Sequence, residues 1–184
     1  MLSEVFILLF KRQLMISKLI KRKSIQSILK KNKLKPHPTQ TGHKIMSVGI
    51  ILNIDEQIDL DELVKKIKTL FKDCQSVQLA TFSFEKLTNK QENYYDFDDL
   101  SLFGKVTSQP LKAFINSNFD LLINYHLKSN ELLYLISAMS NSKFTLGFNP
   151  KDIKYNDLIL DIKLLDFAFF KEESKKYLSK FLKF

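Results

Sequence analysis

The chain has 184 residues, 45% hydrophobic and 27% charged, with 16 Phe, no Trp, four Gly, one Cys and a formal net charge of +9. That is enough apolar material for a folded domain, which excludes a disordered tail, and a lone cysteine excludes an internal disulfide or a cysteine-built metal cluster and points to a reducing compartment. Four glycines leave little for loops that cradle phosphate, and neither G-x-G-x-x-G nor G-x-x-x-x-G-K occurs, so a nucleotide site of the usual kind is not expected.

The charge is unevenly placed. Residues 1–44 hold eleven Lys and Arg against one acid, Glu4, giving +10, whereas the remaining 140 residues hold 18 basic and 19 acidic side chains, giving −1. Residues 1–35 contain neither Pro nor Gly and read as one basic amphipathic helix of about 45 to 50 Å. Its apolar start, VFILLF at 5–10, covers only about 9 Å as helix against the roughly 30 Å of a bilayer core, so it is expected neither to span a membrane nor to act as an export signal. The stretch KPHPTQTG breaks the helix, and residues 36–44 are expected to form a linker.

From residue 45 to 184 the pattern alternates strand with helix. Residues 45–52 read as a first strand, with Gly49 marking a close approach by a neighbouring helix. Asp59 and Glu62 open a helix with an apolar stripe from Leu60 to Phe71, and residues 76–83 form the second strand. Residues 84–99 are polar and irregular, and residues 100–106 suit a short edge strand or an ordered loop. Pro110 starts a short helix. Residues 119–124 and 143–148 are apolar without alternation, as in strands covered on both faces, and the helix between them, capped by Asn130, makes the strands parallel. A loop at 149–156, a strand at 157–162 and a helix at 166–182 close the chain. The expected fold is a three-layer Rossmann-like α/β sandwich with a mostly parallel sheet, preceded by the long basic helix.

In such a fold ligands lie beyond the carboxyl ends of the strands, which here offer Asn53, Asp55, Asn124 and His126 as a candidate crevice. No catalytic set is expected, because His126 has no evident partner to orient it and no G-x-S-x-G elbow surrounds a serine. No cofactor or metal is expected either: His37 and His43 lack companions at ligand spacing, and Asp96, Asp98 and Asp99 read as a solvated acidic turn. The strongest signal is the basic helix, where Lys18, Lys21, Arg22, Lys23, Lys30, Lys31, Lys33 and Lys35 are dense enough to neutralise several phosphates.

The segment FDLLINYHLKSNELLYLISAMSNSKFTLGF at 119–148, the D-L-x-x-F-G stretch at 99–104 and DLILDI at 157–162 resemble the patterns of a bacterial family of unknown function. Its members are short Rossmann-like proteins with a lysine-rich N-terminal helix. Leu133 and Tyr134 stand where that family commonly has a P-L-H-Y type segment. The resemblance implies the fold and a bacterial cytoplasmic setting, and no activity. About 30 residues are also similar to the N-terminal domain of heptosyltransferase-like enzymes, without the second domain that binds the sugar nucleotide.

The expected function is therefore that of a non-enzymatic binding protein docking through its basic helix on RNA or the ribosome. One alternative is peripheral association with an anionic membrane, at the inner face, and another is a small-ligand or sugar-nucleotide-related enzyme using the strand-end crevice. The apolar residues of the helix must be buried on the domain, on a second copy or on lipid.

Overall fold

The computed structural model describes residues 2–31, 42–128, 131–162 and 166–183. Lys33, Lys35, Asn130 and the expected linker up to Thr41 lie outside the described residues. The elements in order are α1 (Leu2–Lys31), β1 (His43–Lys44), β2 (Ser47–Asn53), α2 (Leu60–Leu70), β3 (Ser76–Phe82), β4 (Tyr94–Tyr95), α3 (Gln109–Asn116), β5 (Leu121–Tyr125), α4 (Glu131–Met139), β6 (Thr145–Gly147), β7 (Leu158–Ile159), α5 (Phe167–Leu178) and β8 (Leu182–Lys183).

Strands β2 to β7 form one sheet in the order β4-β3-β2-β5-β6-β7, with every neighbouring pair parallel. Counted along the chain this is third, second, first, fourth, fifth, sixth, the doubly wound arrangement of Rossmann type, and the order reverses between β2 and β5. Side chains alternate across a strand, so β2, β3 and β5 each feed two cores. On one face Leu63, Ile67 and Leu70 of α2 and Phe170 and Leu178 of α5 join Val48, Ile50, Leu121 and Ile123. On the other, Leu111 and Phe114 of α3 and Leu132, Leu135 and Ile136 of α4 join Ile51, Ala80, Phe82 and Leu122. Burial on both faces explains why β2 and β5 read as unbroken apolar runs.

Local chemistry sets the ends of these elements. The Asp59 carboxylate accepts the Glu62 N–H at 2.9 Å and starts α2, and Ser108 caps α3 with Pro110 in its first turn. At the amino end of the sheet, Asp120 Oδ2 accepts the N–H groups of Met46 and Ser47 at 2.9 and 3.0 Å, while Oδ1 accepts Lys143 Nζ at 2.6 Å. One carboxylate thus fastens β2, β5 and the approach to β6. Burial alone would raise its pKa, but the Lys143 ammonium and the two backbone donors outweigh that and hold it below the usual range.

Several boundaries differ from the sequence reading. Tyr94 and Tyr95 form an edge strand inside a segment expected to be irregular, paired with Thr81 and Phe82. Residues 100–106 form an ordered loop, one of the two forms expected there, closed by an antiparallel bridge between Leu100 and Val106. The closing helix ends at Leu178, so that Leu182 and Lys183 pair with His43 and Lys44. The neighbour that crowds Gly49 is the Phe119 ring: a Cβ there would lie 2.7 Å from it.

The second half of α1 belongs to the domain. Ile25 is fully buried, and Ile28 and Leu29 pack on the same core as α3 and α4. Lys21 Nζ donates to the Phe97 carbonyl at 2.7 Å, and Gln26 Nε2 to Glu131 Oε1 at 3.1 Å. Cutting the chain near Thr41 would therefore uncover a core, and point variants of the full chain are the sounder probes of what α1 does.

Candidate functional site

The reversal of strand order between β2 and β5 puts Asn53, Asn124 and His126 at the carboxyl ends of adjacent strands. They are 2%, 3% and 2% exposed. Ile51 lies opposite Asn124 in the parallel register, so Asn53, two residues on, shares that face of the sheet. Asp55 does not join them; its side chain is exposed, and its backbone N–H donates to Asn53 Oδ1 at 3.1 Å.

The chain itself roofs this end of the sheet. Glu56, just past β2, accepts the N–H groups of Leu127 and Lys128 at 2.7 and 3.0 Å. From the other side Asn149 Nδ2 donates to the Leu127 carbonyl at 2.9 Å. The segment after β5 is thereby held between the segments after β2 and β6. Beneath it Asn124 Nδ2 donates to Ser137 Oγ at 2.9 Å and to Asn156 Oδ1 at 2.7 Å, and Asn156 Nδ2 donates to the Asp152 carbonyl at 3.0 Å. Tyr134, stacked on Tyr155 with centroids 4.2 Å apart, donates its hydroxyl to Asp152.

Electrostatics fit a closed core better than an anion site. Burial lowers the His126 pKa to about 4, which leaves the ring neutral at neutral pH, and burial raises that of Glu56. The buried groups carry no positive charge for a phosphate. Asn53 Nδ2, Asn124 Oδ1 and His126 Nδ1 have no hydrogen-bond partner among the described residues. Nothing at their spacing in the sequence links Ser137 and Asn156 to Asn124, or Glu56 to the segment after β5; the fold alone brings them together.

The basic residues of α1 divide by direction. Lys21 is turned inward, with Asp98 at 3.9 Å in addition to the Phe97 carbonyl. Lys18, Arg22, Lys23 and Lys30 are exposed, and Lys31 ends the helix. At 3.6 residues per turn the side opposite Lys21, Ile25 and Ile28 carries Met15, Ile16, Leu19 and Ile20 in line with Arg12 and Lys23. Those four apolar side chains are 64%, 48%, 53% and 42% exposed. The outward face of α1 is therefore both apolar and cationic.

The acidic turn is a structural knot. Asp96 is buried, and its carboxylate accepts the N–H groups of Leu87 and Asp98 and the Lys90 ammonium, while Asp99 accepts Lys90 at 2.6 Å. Despite burial, these donors hold Asp96 below its usual pKa. Among the described residues no three His, Cys, Asp or Glu side chains are grouped to hold a metal ion, and no helix is long and apolar enough to cross a membrane.

Neither the curated proteins nor the solved structures contain a match to this chain. A family model does match, over residues 21–181, from the inward-facing Lys21 of α1 to Phe181, just before β8. The strand, helix and strand from Phe119 to Phe148 lie wholly within it, and the chain belongs to the family described as "Family of unknown function (DUF6913)".

Proposed function

We propose that the protein is a non-enzymatic docking module that rests on an anionic membrane surface, at the cytoplasmic face, through the outward side of α1. The observation that carries this reading is the exposure of Met15, Ile16, Leu19 and Ile20 on the same helix side as Arg12 and Lys23. Aliphatic side chains held in water next to cations suit the headgroup boundary of a bilayer, where the former enter the acyl region and the latter meet phosphate. Each cation near such a surface contributes about 1 kcal/mol, and each half-exposed aliphatic chain a similar amount, which suits reversible attachment. The single cysteine, free of any disulfide, fits a reducing compartment.

Docking on RNA or the ribosome is the second reading, favoured by the +10 of residues 1–44 and by the exposed Lys18, Arg22, Lys23 and Lys30. It would use the lysines and leave the aliphatic side chains in water, which is why lipid is preferred. Flotation of the full chain separates the two. Binding to phosphatidylglycerol vesicles is expected at low salt, with little binding to phosphatidylcholine and a steep loss as salt rises. Leu19→Glu is expected to weaken it by about tenfold or more. Absence of flotation with retained salt-sensitive RNA binding would overturn the membrane reading in favour of RNA, and a stable dimer through α1 would overturn it in favour of a second copy.

A further inference from the structure

One edge of the sheet is only half covered. Strand β4 pairs with Thr81 and Phe82, at the carboxyl end of β3. Just before β4, Asn93 takes φ +65° and the Tyr94 N–H donates back to the Gln91 carbonyl at 3.2 Å, so the chain turns off the edge there. Along β3 the backbone groups alternate in direction. Ser76 N–H donates to the Met46 carbonyl, towards β2, whereas the Thr81 and Ser83 N–H groups donate to the Asn93 and Tyr95 carbonyls, towards β4. By that alternation the N–H and C=O groups of Val77 and Leu79 face the open edge, and no backbone group of the described residues meets them there. They lie on the floor of a groove of about 390 Å³, walled by Val64 of α2 on one side and by Pro110, Ala113 and Phe114 of α3 on the other, with Asn93 and Tyr95 closing its end. Exposed edge strands are ordinarily guarded by charge or proline, yet residues 74–84 contain no charged residue, no Pro and no Gly.

We propose that this groove is a docking site for an extended peptide segment of a partner protein, which adds a strand to the sheet along β3, in the line of β4. The occupant follows from the groups that meet it. Two N–H and two C=O groups at strand spacing are matched by the backbone of another strand, and not by a helix, whose own backbone groups are already paired. A strand lying there has α2 over one face and α3 over the other. Its side chains therefore meet apolar walls on both sides, and the sequence that fits is an uncharged, proline-free apolar run like those of β2 and β5. Running alongside Ser76 to Ala80 takes about five residues. The β3 of a second copy is recessed between its own α2 and α3 in the same way, so two such edges do not meet, whereas a single free segment enters. Because β3 is already held by β2 along its whole length, little ordering of the groove is needed on binding. The site is separate from α1 and does not rest on membrane docking.

In the full chain the amide hydrogens of Val77 and Leu79 are expected to exchange quickly with deuterium, unlike that of Ala80, which faces β2. A displayed library of random heptapeptides panned on the full chain is expected to enrich uncharged, proline-free runs of apolar residues. A synthetic peptide of the enriched sequence is then expected to slow exchange at Val77 and Leu79 by about tenfold or more, read by nuclear magnetic resonance. Ala113→Trp, at an exposed position of α3, fills the groove and is expected to weaken peptide binding about tenfold or more. Val77→Pro removes an N–H that no ladder bond uses and is expected to do the same. The exchange readout uses the parent chain, so it stands even where a variant fails to fold. Val77 and Leu79 amides already protected in the dilute free chain would overturn the proposal, as would a library that enriches no such run. An enriched peptide that leaves both amides exchanging as before, or binds Ala113→Trp as tightly as the parent, would place binding elsewhere and overturn it too. Protection that arises without peptide and grows with protein concentration would overturn it in favour of a second copy.

Discussion

Gly147→Val is expected to lower the unfolding free energy by about 3 to 5 kcal/mol, enough to leave a marginal protein largely unfolded. A Cβ on Gly147 would lie 2.5 Å from Asn156 Nδ2 and 2.6 Å from its Cγ. The Asn156 amide is the centre of the buried network, accepting from Asn124 and donating to the Asp152 carbonyl. It has nowhere to move without leaving those groups unpaired. Denaturant unfolding monitored by circular dichroism checks this, and an unchanged midpoint would show that the network yields at little cost.

Titration of His126 on acidification is expected to remove about 3 kcal/mol of stability between pH 6.5 and 4. His126 is buried and its pKa falls to about 4 in the fold, against roughly 6.5 in the unfolded chain. A group depressed in this way contributes stability that is fully present above its unfolded pKa and lost as pH falls to its folded value. Asp120 and Asp96, both held low by their donors, add a further loss once the pH drops below the ordinary carboxylate range. Glu56, raised by burial, opposes these losses as it takes up its proton. His126→Leu is expected to flatten the upper part of the profile, and an equally steep loss in that variant would assign it elsewhere.

The family-like patterns were legible in the sequence before their reasons were. Phe119 fills the space left by Gly49, Asp120 joins β2 to Lys143, Asn124 holds Ser137 and Asn156, and Gly147 admits the Asn156 amide. Each is a long-range contact, and no local rule announces it. The sheet was legible because β2 and β5 are apolar runs buried on both faces. β4, β7 and β8 were missed or misjudged in extent because two residues carry no periodicity. Charge counting found the basic helix but could not separate its sides. Lys21 is drawn inward by the Phe97 carbonyl, and only the position of Ile25 in the core shows that Met15, Ile16, Leu19 and Ile20 face outward. His126 reads as part of a ligand crevice from its place at a strand end, and the Glu56 and Asn149 contacts that roof that place come from segments far apart in the chain.

The most direct test of membrane docking is a spin-label depth scan along α1 in the full chain. Cys74, the only native thiol, is replaced by serine, and single cysteines are placed at positions 12 to 24. With phosphatidylglycerol vesicles the labels at 15, 16, 19 and 20 are predicted to gain access to oxygen and lose access to a water-soluble nickel chelate. Labels at 17, 21 and 24 are predicted to change little, which gives a helical period in the depth profile. A profile without that period, or labels at 15, 16, 19 and 20 as open to the chelate with vesicles as without them, would contradict docking through this face.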